Sequence, residues 1–314
     1  MRFREMMRRR AASRGRLRGT LRICADRCNP FRLPYPLELF SVSGSLLSSA
    51  RPHFATLRER AYVPFSEHPR SVLLVLRDGR WIPGVRIESA SYSLSIAALT
   101  NAVTTAYSLR CFDAVAGVLA SAPLSAADRA YLQALDGFSE IAPEIAAEAG
   151  PAANGTAGPA AYWRTAPPDA LGAPLAPTCA VPDSVGAGIA AARTVAEQAH
   201  IPESRFPVGA VLVHNDRVGI PGVNVEHPDW TRILCAERNA LSTAYAYGYT
   251  QCTALYLSCP NARNGSPCGA CRQVLAERAT HATLYMDRHD APVETTTPAA
   301  LLPAFFNSSD LIPD

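Results

Sequence analysis

The second half of the chain alternates short apolar runs with longer stretches of helix-forming residues. Residues 208–214 (VGAVLVH) are rich in β-formers and end at an Asn-Asp turn signal before a returning apolar run. The predicted elements, in order, are strands over 208–214 and 220–225, a helix over 234–247, a strand over 253–257, a helix from Pro267 through Ala279 and a strand over 283–286. Because strands alternate with helices, the pattern predicts an α/β fold in which helices cover a mixed central sheet.

The first half of the chain repeats this pattern when it is shifted by 138 residues. In that register 82-IPGVRIE-88 falls on 220-IPGVNVE-226, and 105-TAY-107 falls on 243-TAY-245. One ungapped offset accounts for all of the matches, which chance similarity rarely achieves. We therefore interpret the chain as an internal duplication that forms two related domains rather than a solenoid.

Composition divides the chain into four segments. Residues 146–178 are dominated by Ala, Pro and Gly without a lasting period, which is typical of a linker. Residues 1–30 form an Arg-rich leader, which we predict to be disordered. The predicted globular domains are therefore 31–145 and 179–314, one on each side of the linker.

The positive charge of the chain is concentrated in its first residues. Residues 1–22 contain nine arginines and one acid, whereas the remainder holds 21 arginines against 26 acids. An acidic body argues against a broad binding surface for nucleic acid. The leader lacks the apolar segment of a secretory signal, which leaves a non-functional extension, a mitochondrial transit peptide or a basic arm. We interpret it as an extension of a cytoplasmic protein, whereas a transit peptide would direct the protein to mitochondria.

Residue content excludes further classes of protein. All 30 basic residues are arginines, so neither a P-loop lysine nor a Schiff-base lysine operates here. The sequence has no run of about 18 apolar residues, so no membrane-spanning helix is predicted. Without a secretory signal, the nine cysteines are expected to be core residues, metal ligands or catalytic groups rather than disulfides.

The candidate chemistry lies where the two halves differ. In the common register Cys235 faces Ala97, and Glu237 faces Leu99. The first predicted domain has no C-x-x-C pair, and its only cysteine, Cys111, stands alone. The first half therefore keeps the frame and lacks each candidate ligand and the candidate acid.

The three cysteines of the second half predict a zinc site with an open position. Pro267 and Cys268 start a helix with Cys271 one turn on, so the two thiols share one face. Cys235 starts another helix, and helix N-termini favour thiolates. Three protein ligands leave the fourth zinc position for water, as in catalytic sites. Glu237 is predicted to take a proton from that water and return it to a leaving group.

Two other interpretations of the cysteines stay open on spacing alone. A bare C-x-x-C pair also occurs in redox proteins and in structural zinc sites. Cys259, which precedes Pro260, is available as a fourth sulfur for a structural four-cysteine cluster. Because a structural site gives no role to Glu237, and because Cys259 ends a run typical of a core strand, we favour the catalytic site.

Four segments of the second half occur in a highly specific order. They are 206-FPVGA-210, 222-GVNVE-226, 235-CAERNA-240 and 267-PCGACRQV-274. Together they resemble the cytidine deaminases that act on free nucleosides, over about residues 179–314. The resemblance implies two tandem cytidine-deaminase-like α/β/α domains, the first degenerate, and one zinc ion per chain. It implies zinc-dependent hydrolytic deamination of cytidine and deoxycytidine to uridine and deoxyuridine, as in pyrimidine salvage.

The resemblance also implies how the substrate is held. Phe206 would pack against the pyrimidine, and the backbone of Ala236 would contact the edge of the base. Asn224 and Glu226 would hydrogen-bond the ribose hydroxyl. Phe306 is similar to the aromatic residue that family members lend to a neighbouring site.

Further expectations concern the zinc charge and the sugar side of the site. Arg238 adjoins Cys235, and a guanidinium that donates to a thiolate would offset the negative charge of three thiolates around zinc. The second half reads 227-HPDW-230 where family members commonly carry an Asn-Ala-x-Tyr-like run, and the first half keeps 89-SASY-92. This departure leaves a modified cytosine nucleoside open as the substrate. His227 is expected to be a packing or rim residue.

The resemblance and the duplication together imply an assembly. Short family members form tetramers, so two chains of this length would form a homodimer that is a pseudo-tetramer, in which the degenerate half replaces a subunit. Expected partners are thus a nucleoside, water and a second copy of the chain, without a membrane. A polynucleotide-editing deaminase is a further alternative, disfavoured by the acidic body and by 224-NVE-226.

Overall fold

The computed structural model describes residues 37–138, 145–146, 158–215, 217–307 and 311. The predicted leader over 1–30 lies outside the described residues. From Leu37 onward the chain forms one compact unit. Across the described ranges, no helix combines the length and the apolar character needed to cross a membrane.

The first half builds a five-stranded sheet in which every pairing is antiparallel. Its elements are α1 (Leu37–Arg60), β1 (Ser71–Leu76), β2 (Trp81–Val85), α2 (Ala98–Ser108), β3 (Val115–Ala120), α3 (Ala126–Gln133), β4 (Ile145–Ala146) and β5 (Ala160–Trp163). The strand order is β2-β1-β3-β5-β4, and α1 and α2 both pack against β1 and β2. Because helices cover the sheet, β1 and β3 are buried along their whole length and read as continuous apolar runs.

One strand of this sheet lies inside the segment predicted to be a linker. Residues 160–163 (AAYW) are all buried and pair with β3, from Gly117↔Trp163 to Ala120↔Ala160. The linker prediction over 146–178 is therefore wrong for these four residues and for Ala146, which belongs to β4. The strand conformation of residues 160–163 comes from the backbone of β3, a partner that composition cannot reveal.

The second half builds a second five-stranded sheet, of order β10-β9-β8-β6-β7. Its elements are α4 (Val185–Ala196), β6 (Gly209–His214), β7 (Val218–Val223), α5 (Ala236–Tyr247), β8 (Cys252–Ser258), α6 (Gly269–Arg278), β9 (Thr283–Met286), β10 (Glu294–Thr296) and α7 (Pro298–Leu301). β8 and β9 are parallel, and the other pairings are antiparallel. The predicted α/β fold with a mixed sheet is confirmed here, with element ends shifted by at most two residues.

The first turn of α5 packs closely on β7. A Cβ atom at Gly222 in β7 would collide with the carbonyl of Ala236 and with Ala240. Gly84 in β2 stands in the same relation to the carbonyl of Ala98 at the start of α2. In both halves, glycine lets the first turn of a helix approach the strand closely.

The two halves meet through α2 and α5, which pack against each other. Thr105 Oγ1 and Thr243 Oγ1 lie 2.7 Å apart, although the residues are 138 positions apart in the chain. Asn239 Nδ2 donates to Thr104 O at 3.1 Å and to Ser108 Oγ at 2.7 Å. Because Thr105 contacts the residue that matches it in the repeat, the contact resembles an isologous two-fold interface. The predicted division into separate domains stays a prediction.

Candidate metal centre and active site

Three cysteine sulfurs converge where the N-termini of α5 and α6 meet. Cys235 is the N-cap residue of α5, Cys268 is the N-cap residue of α6, and Cys271 lies in the first turn of α6. The three Sγ atoms all lie within 4.8 Å of one another, and those of Cys235 and Cys268 are 3.7 Å apart. The structure thus brings together the three predicted ligands.

This donor set fits a zinc ion. Hydrogen bonds from Cys235 and then Cys271 lower the pKa of the Cys268 thiol, and so do backbone N–H groups at the start of α6. The hydrogen bond with Cys268 raises the pKa of Cys235, and the hydrogen bonds with both other thiols raise the pKa of Cys271, so Cys268 is the first of the three to ionise. Thiolates at helix N-termini are soft, charged ligands of the kind that zinc prefers. Among the described residues, Cys259 is not part of the cluster. The geometry therefore favours a three-cysteine site over the four-cysteine structural alternative.

Glu237 lies in the first turn of α5, two residues after Cys235, and is only 3% exposed. Burial raises the pKa of its carboxyl group to about 7. A carboxyl group with a pKa near neutrality both accepts and releases a proton readily at physiological pH. The structure therefore gives the predicted acid and base an environment suited to that role.

Arg238 connects the metal centre to the first half of the chain. Its Nη2 donates to the carbonyl of Leu94 at 2.9 Å, and its buried Nε has no partner among the described residues. The predicted bond from the guanidinium to a thiolate is absent from the described contacts, and that role stays a prediction. The sequence did not predict this contact with Leu94, because every residue has a backbone carbonyl and the residue type does not show which one accepts a hydrogen bond.

Asn224 and Glu226 both organise the loop that carries Phe206. Glu226 is buried and accepts backbone hydrogen bonds from Glu203 at 2.8 Å and Ser204 at 3.2 Å. Asn224 Nδ2 donates to Phe206 O at 2.9 Å, and Asn224 Oδ1 accepts from the backbone N–H of Val208 at 2.8 Å. The Phe206 ring remains 39% exposed, available to a planar ligand.

Burial alone would raise the pKa of the Glu226 carboxyl group, but the hydrogen bonds from Ser204 and Glu203 outweigh it, and the net pKa is lowered. Glu226 is therefore an ionised acceptor at neutral pH. A buried carboxylate has lone pairs beyond those that these N–H groups use. It can thus accept a further hydrogen bond from a ligand.

A cavity of about 590 Å³ lies beside Cys235, at the contact of the two halves. The first half contributes Leu94, Ala97 and Thr100 to its wall. The second half contributes Trp230, Arg238 and Ala270, among others. Because Trp230 lines this cavity, the stretch 227-HPDW-230 that departs from the family pattern lies beside it. The Trp230 side chain is 69% exposed.

Ala236 and Phe306, both predicted to contact the substrate, lie in different places. Ala236 is fully buried and begins α5 directly after Cys235, and its contact with the base stays a prediction. Phe306 instead lines a cavity of about 1160 Å³ together with Glu88 and Tyr92 of the first half. The aromatic side chain therefore lies at the first half's counterpart of the sugar site, since Glu88 matches Glu226 in the repeat.

Two residues of α6 that sequence reasoning missed connect this helix to its surroundings. Glu277 accepts hydrogen bonds from Ser89 Oγ at 2.8 Å, from the backbone of Ala90 at 3.0 Å and from Gln273 Nε2 at 2.7 Å. Gln273 also donates to the carbonyl of Phe306 at 2.6 Å. The i, i+4 spacing of Gln273 and Glu277 was the available signal.

His227 is a packing residue in this structure. It is buried and stacks on Tyr131, with ring centroids 4.4 Å apart and an interplanar angle of 12°. Its Nδ1 accepts from the backbone of Asp229 at 3.0 Å. These contacts agree with the packing role expected from the sequence.

Comparison with known proteins defines the class. An α/β sheet that presents three cysteines and a buried glutamate at two helix N-termini matches the zinc-dependent deaminases: the family model "Cytidine and deoxycytidylate deaminase zinc-binding region" matches residues 186–286. A cytidine deaminase of Sporosarcina psychrophila is 39% identical over 124 residues, which cover 39% of this chain and 91% of the relative. That of Halalkalibacterium halodurans is 38% identical over 116 residues, 37% of this chain and 88% of the relative. This chain belongs to the cytidine deaminase family.

A solved structure extends the comparison. The cytidine deaminase of Burkholderia pseudomallei has 36% sequence identity, with a TM-score of 0.38, and the match covers 39% of this chain and 99% of that one. The relatives therefore correspond to well under half of the present chain. The matched family model lies in the second half, where the three cysteines and Glu237 are found.

Proposed function

We propose that the chain catalyses the hydrolytic deamination of cytidine and deoxycytidine to uridine and deoxyuridine, as a pyrimidine salvage enzyme. The observation that carries this proposal is the meeting of three thiols with a buried glutamate whose pKa is about 7. The relatives that bear the name cytidine deaminase support the choice of substrate. Cys235, Cys268 and Cys271 would hold one zinc ion per chain.

Zinc, when bound, supplies Lewis acidity that lowers the pKa of a water molecule. Glu237 would accept a proton from the water at a carboxylate oxygen as the new C–O bond forms at C4 and the C4=N3 π bond opens, and would pass this proton to N3. Glu237 would then take the remaining hydroxyl proton and deliver it to the amino nitrogen, so that the C4–N bond breaks, ammonia leaves and the C4 carbonyl forms. Burial raises the pKa of Glu237 to about 7, so the carboxyl group is suited to both accepting and returning a proton.

Substrate recognition is assigned to the loop and strand beside the metal centre. The exposed ring of Phe206 would pack on the pyrimidine, and the first N–H groups of α5 near Ala236 would contact the base edge. The ionised Glu226 would accept a ribose hydroxyl, with Asn224 beside it. Both residues already bond the 203–208 loop, so they also hold Phe206 in position.

The first half would act as a non-catalytic partner for the second. It contributes Leu94 and its neighbours to the cavity beside Cys235, and its α2 packs on α5. The near two-fold contact through Thr105 and Thr243 supports the idea that one half replaces a subunit. Two chains would then associate as a homodimer.

One observation favours a modified cytosine nucleoside as a second candidate substrate. The exposed Trp230 lines the cavity beside Cys235 and stands in the stretch that departs from the family pattern. A large aromatic ring at that position would add apolar contact area for a substituted base or sugar.

The proposal is tested on purified full-length protein with a panel of substrates. We expect one zinc per chain by metal analysis, and turnover of cytidine and deoxycytidine followed by ammonia release. Faster turnover of a substituted cytosine nucleoside would select the second candidate. Two zincs per chain, or preference for single-stranded oligonucleotides over free nucleosides, would contradict the proposal.

A further inference from the structure

The first half contains a cavity of about 350 Å³ at the place that corresponds to the metal centre of the second half. It is lined by the starts of α2 and α3, by the start of β1 and by the end of β3. Ala97 and Ser125 are the N-cap residues of these helices, in the positions that Cys235 and Cys268 hold in the second half. The cavity therefore lies where the first half has the counterparts of the metal ligands, with other residues in their places.

Two arginines line this cavity at positions that are neutral in the second half. Arg70 matches Val208, and Arg86 matches Asn224, in the common register. Arg86 Nη2 lies 3.0 Å from Glu88 Oε1, which neutralises the carboxylate. Arg70 forms no ion pair within the described part of the chain. The replacement of two uncharged residues by arginines on one cavity wall points to a negatively charged ligand.

Hydroxyl groups add hydrogen-bond donors on the same wall. Ser121 Oγ accepts from the backbone of Ser71 at 3.1 Å, and Ser95 Oγ accepts from the backbone of Ser89 at 3.2 Å. Each hydroxyl therefore keeps its own hydrogen to donate to a ligand. Both Ser95 and Ser121 line the cavity.

The N-terminus of α2 adds to the positive character of the cavity. No side chain caps this helix, and its first turn contains no acid. Asp128 is the one acid among the lining residues, and its Oδ2 accepts a hydrogen bond from Ser125 at 2.7 Å. Because Arg86 is paired with Glu88, the positive character of the wall comes from Arg70 and the uncapped end of α2, beside one carboxylate that already accepts a hydrogen bond.

We propose that this cavity is a binding site for a small phosphate-bearing anion, separate from the metal centre. Arg70 and Arg86 would contact the phosphate group, since guanidinium groups match phosphate geometry well. The volume is sufficient for a phosphate with a small organic group attached. Leu99 replaces the catalytic glutamate in this half, so the site would bind its ligand without deaminating it.

The test is calorimetric titration of the zinc-loaded full chain with inorganic phosphate and with cytidine 5′-monophosphate. We expect saturable binding of at least one of the two, weakened about tenfold or more by Arg70→Ala and by Arg86→Asn. Arg70→Gln serves as a milder variant should Arg70→Ala fold poorly. Turnover of cytidine is expected to stay unchanged in all of these variants. Arg58→Ala, which removes an exposed arginine of α1, is the control for net charge and should bind as the original chain does.

The two probes distinguish the sources of the phosphate group. Tighter binding of the nucleotide indicates a site for phosphorylated nucleosides, whereas equal binding indicates a site for the free anion. The proposal is overturned if neither probe binds saturably, or if binding survives both arginine substitutions. It is also overturned if Arg58→Ala weakens binding as much as Arg70→Ala does.

Discussion

The start of α2 and the start of α5 are the same piece of structure with different chemistry. Both helices follow an extended N-cap residue and pack against a glycine of the preceding strand. At α5 the N-cap is Cys235 and the first turn carries Glu237, whereas α2 has Ala97 and Leu99. The comparison shows that packing of helix on sheet shapes this site, and that a few side chains decide whether it holds a metal.

The two halves also differ in the hydrogen bonds of a matching asparagine, Asn101 in α2 and Asn239 in α5. Asn239 donates to Thr104, Ser108 and the carbonyl of Val223, so its amide is fully engaged. The matching Asn101 donates to the carbonyl of Val85, and its buried Oδ1 lacks a partner within the described residues. The asparagine in the half with the metal ligands is therefore the more completely hydrogen-bonded of the two.

The largest change expected is from Cys235→Ala, which gives the second half the residue that the first half has. Two thiols remain, too few to hold zinc tightly, so both the metal and the activity should be lost. Metal analysis after dialysis and an ammonia-release assay measure this. Cys259→Ala is the matched control, because Cys259 is a buried cysteine outside the cluster. Zinc loss from Cys259→Ala would revive the four-cysteine interpretation.

Glu237→Gln should separate metal binding from catalysis. Because glutamine keeps the size of the side chain but does not transfer a proton, kcat should fall about 10² to 10⁴-fold. Zinc content should stay at the level of the original chain, since Glu237 is not one of the three ligands. A variant that retains full turnover would exclude Glu237 as the proton carrier.

Asn224→Arg should give the predicted sugar site of the second half the arginine that the first half has at the matching position, Arg86. The new guanidinium is expected to pair with Glu226, as Arg86 pairs with Glu88 at 3.0 Å. With this carboxylate occupied, KM for cytidine should rise about tenfold or more, from the loss of a charged hydrogen bond. Steady-state kinetics at constant zinc content measure it. An unchanged KM would remove the ribose contact from the proposal.

The smallest effect is expected at the contact of α2 with α5. Thr105→Val removes the bond to Thr243 and should lower the free energy of unfolding by about 1 kcal/mol. Adding Thr243→Val should restore part of the loss, because two apolar partners leave no buried hydroxyl unpaired. Denaturant titration of the two single variants and the double variant measures the coupling. Strictly additive losses would mean that the two hydroxyls do not depend on each other.

The pattern of apolar residues predicted most of the strands and helices of the second half. Strong periodicity and flanking turn residues, such as those around 208–214, depend only on neighbouring residues and predicted the strands found in the structure. The start of α5 was placed at 234 and is found at Ala236, because Leu234 pairs with Val225 as extended chain. The strand over 160–163 was missed, since its partner β3 lies some forty positions earlier.

Sequence alone determined the chemistry that this chain can perform. The spacing of Cys268 and Cys271 sets both thiols on one helical face, and the adjacency of Cys235 and Glu237 sets ligand and acid together, because both are local consequences of helix geometry. Tertiary structure decided what those groups meet. Cys235 reaches Cys268 across 33 positions, and Arg238 reaches Leu94 across 144. Such contacts depend on how two sheets and their helices pack, which no short stretch of sequence encodes.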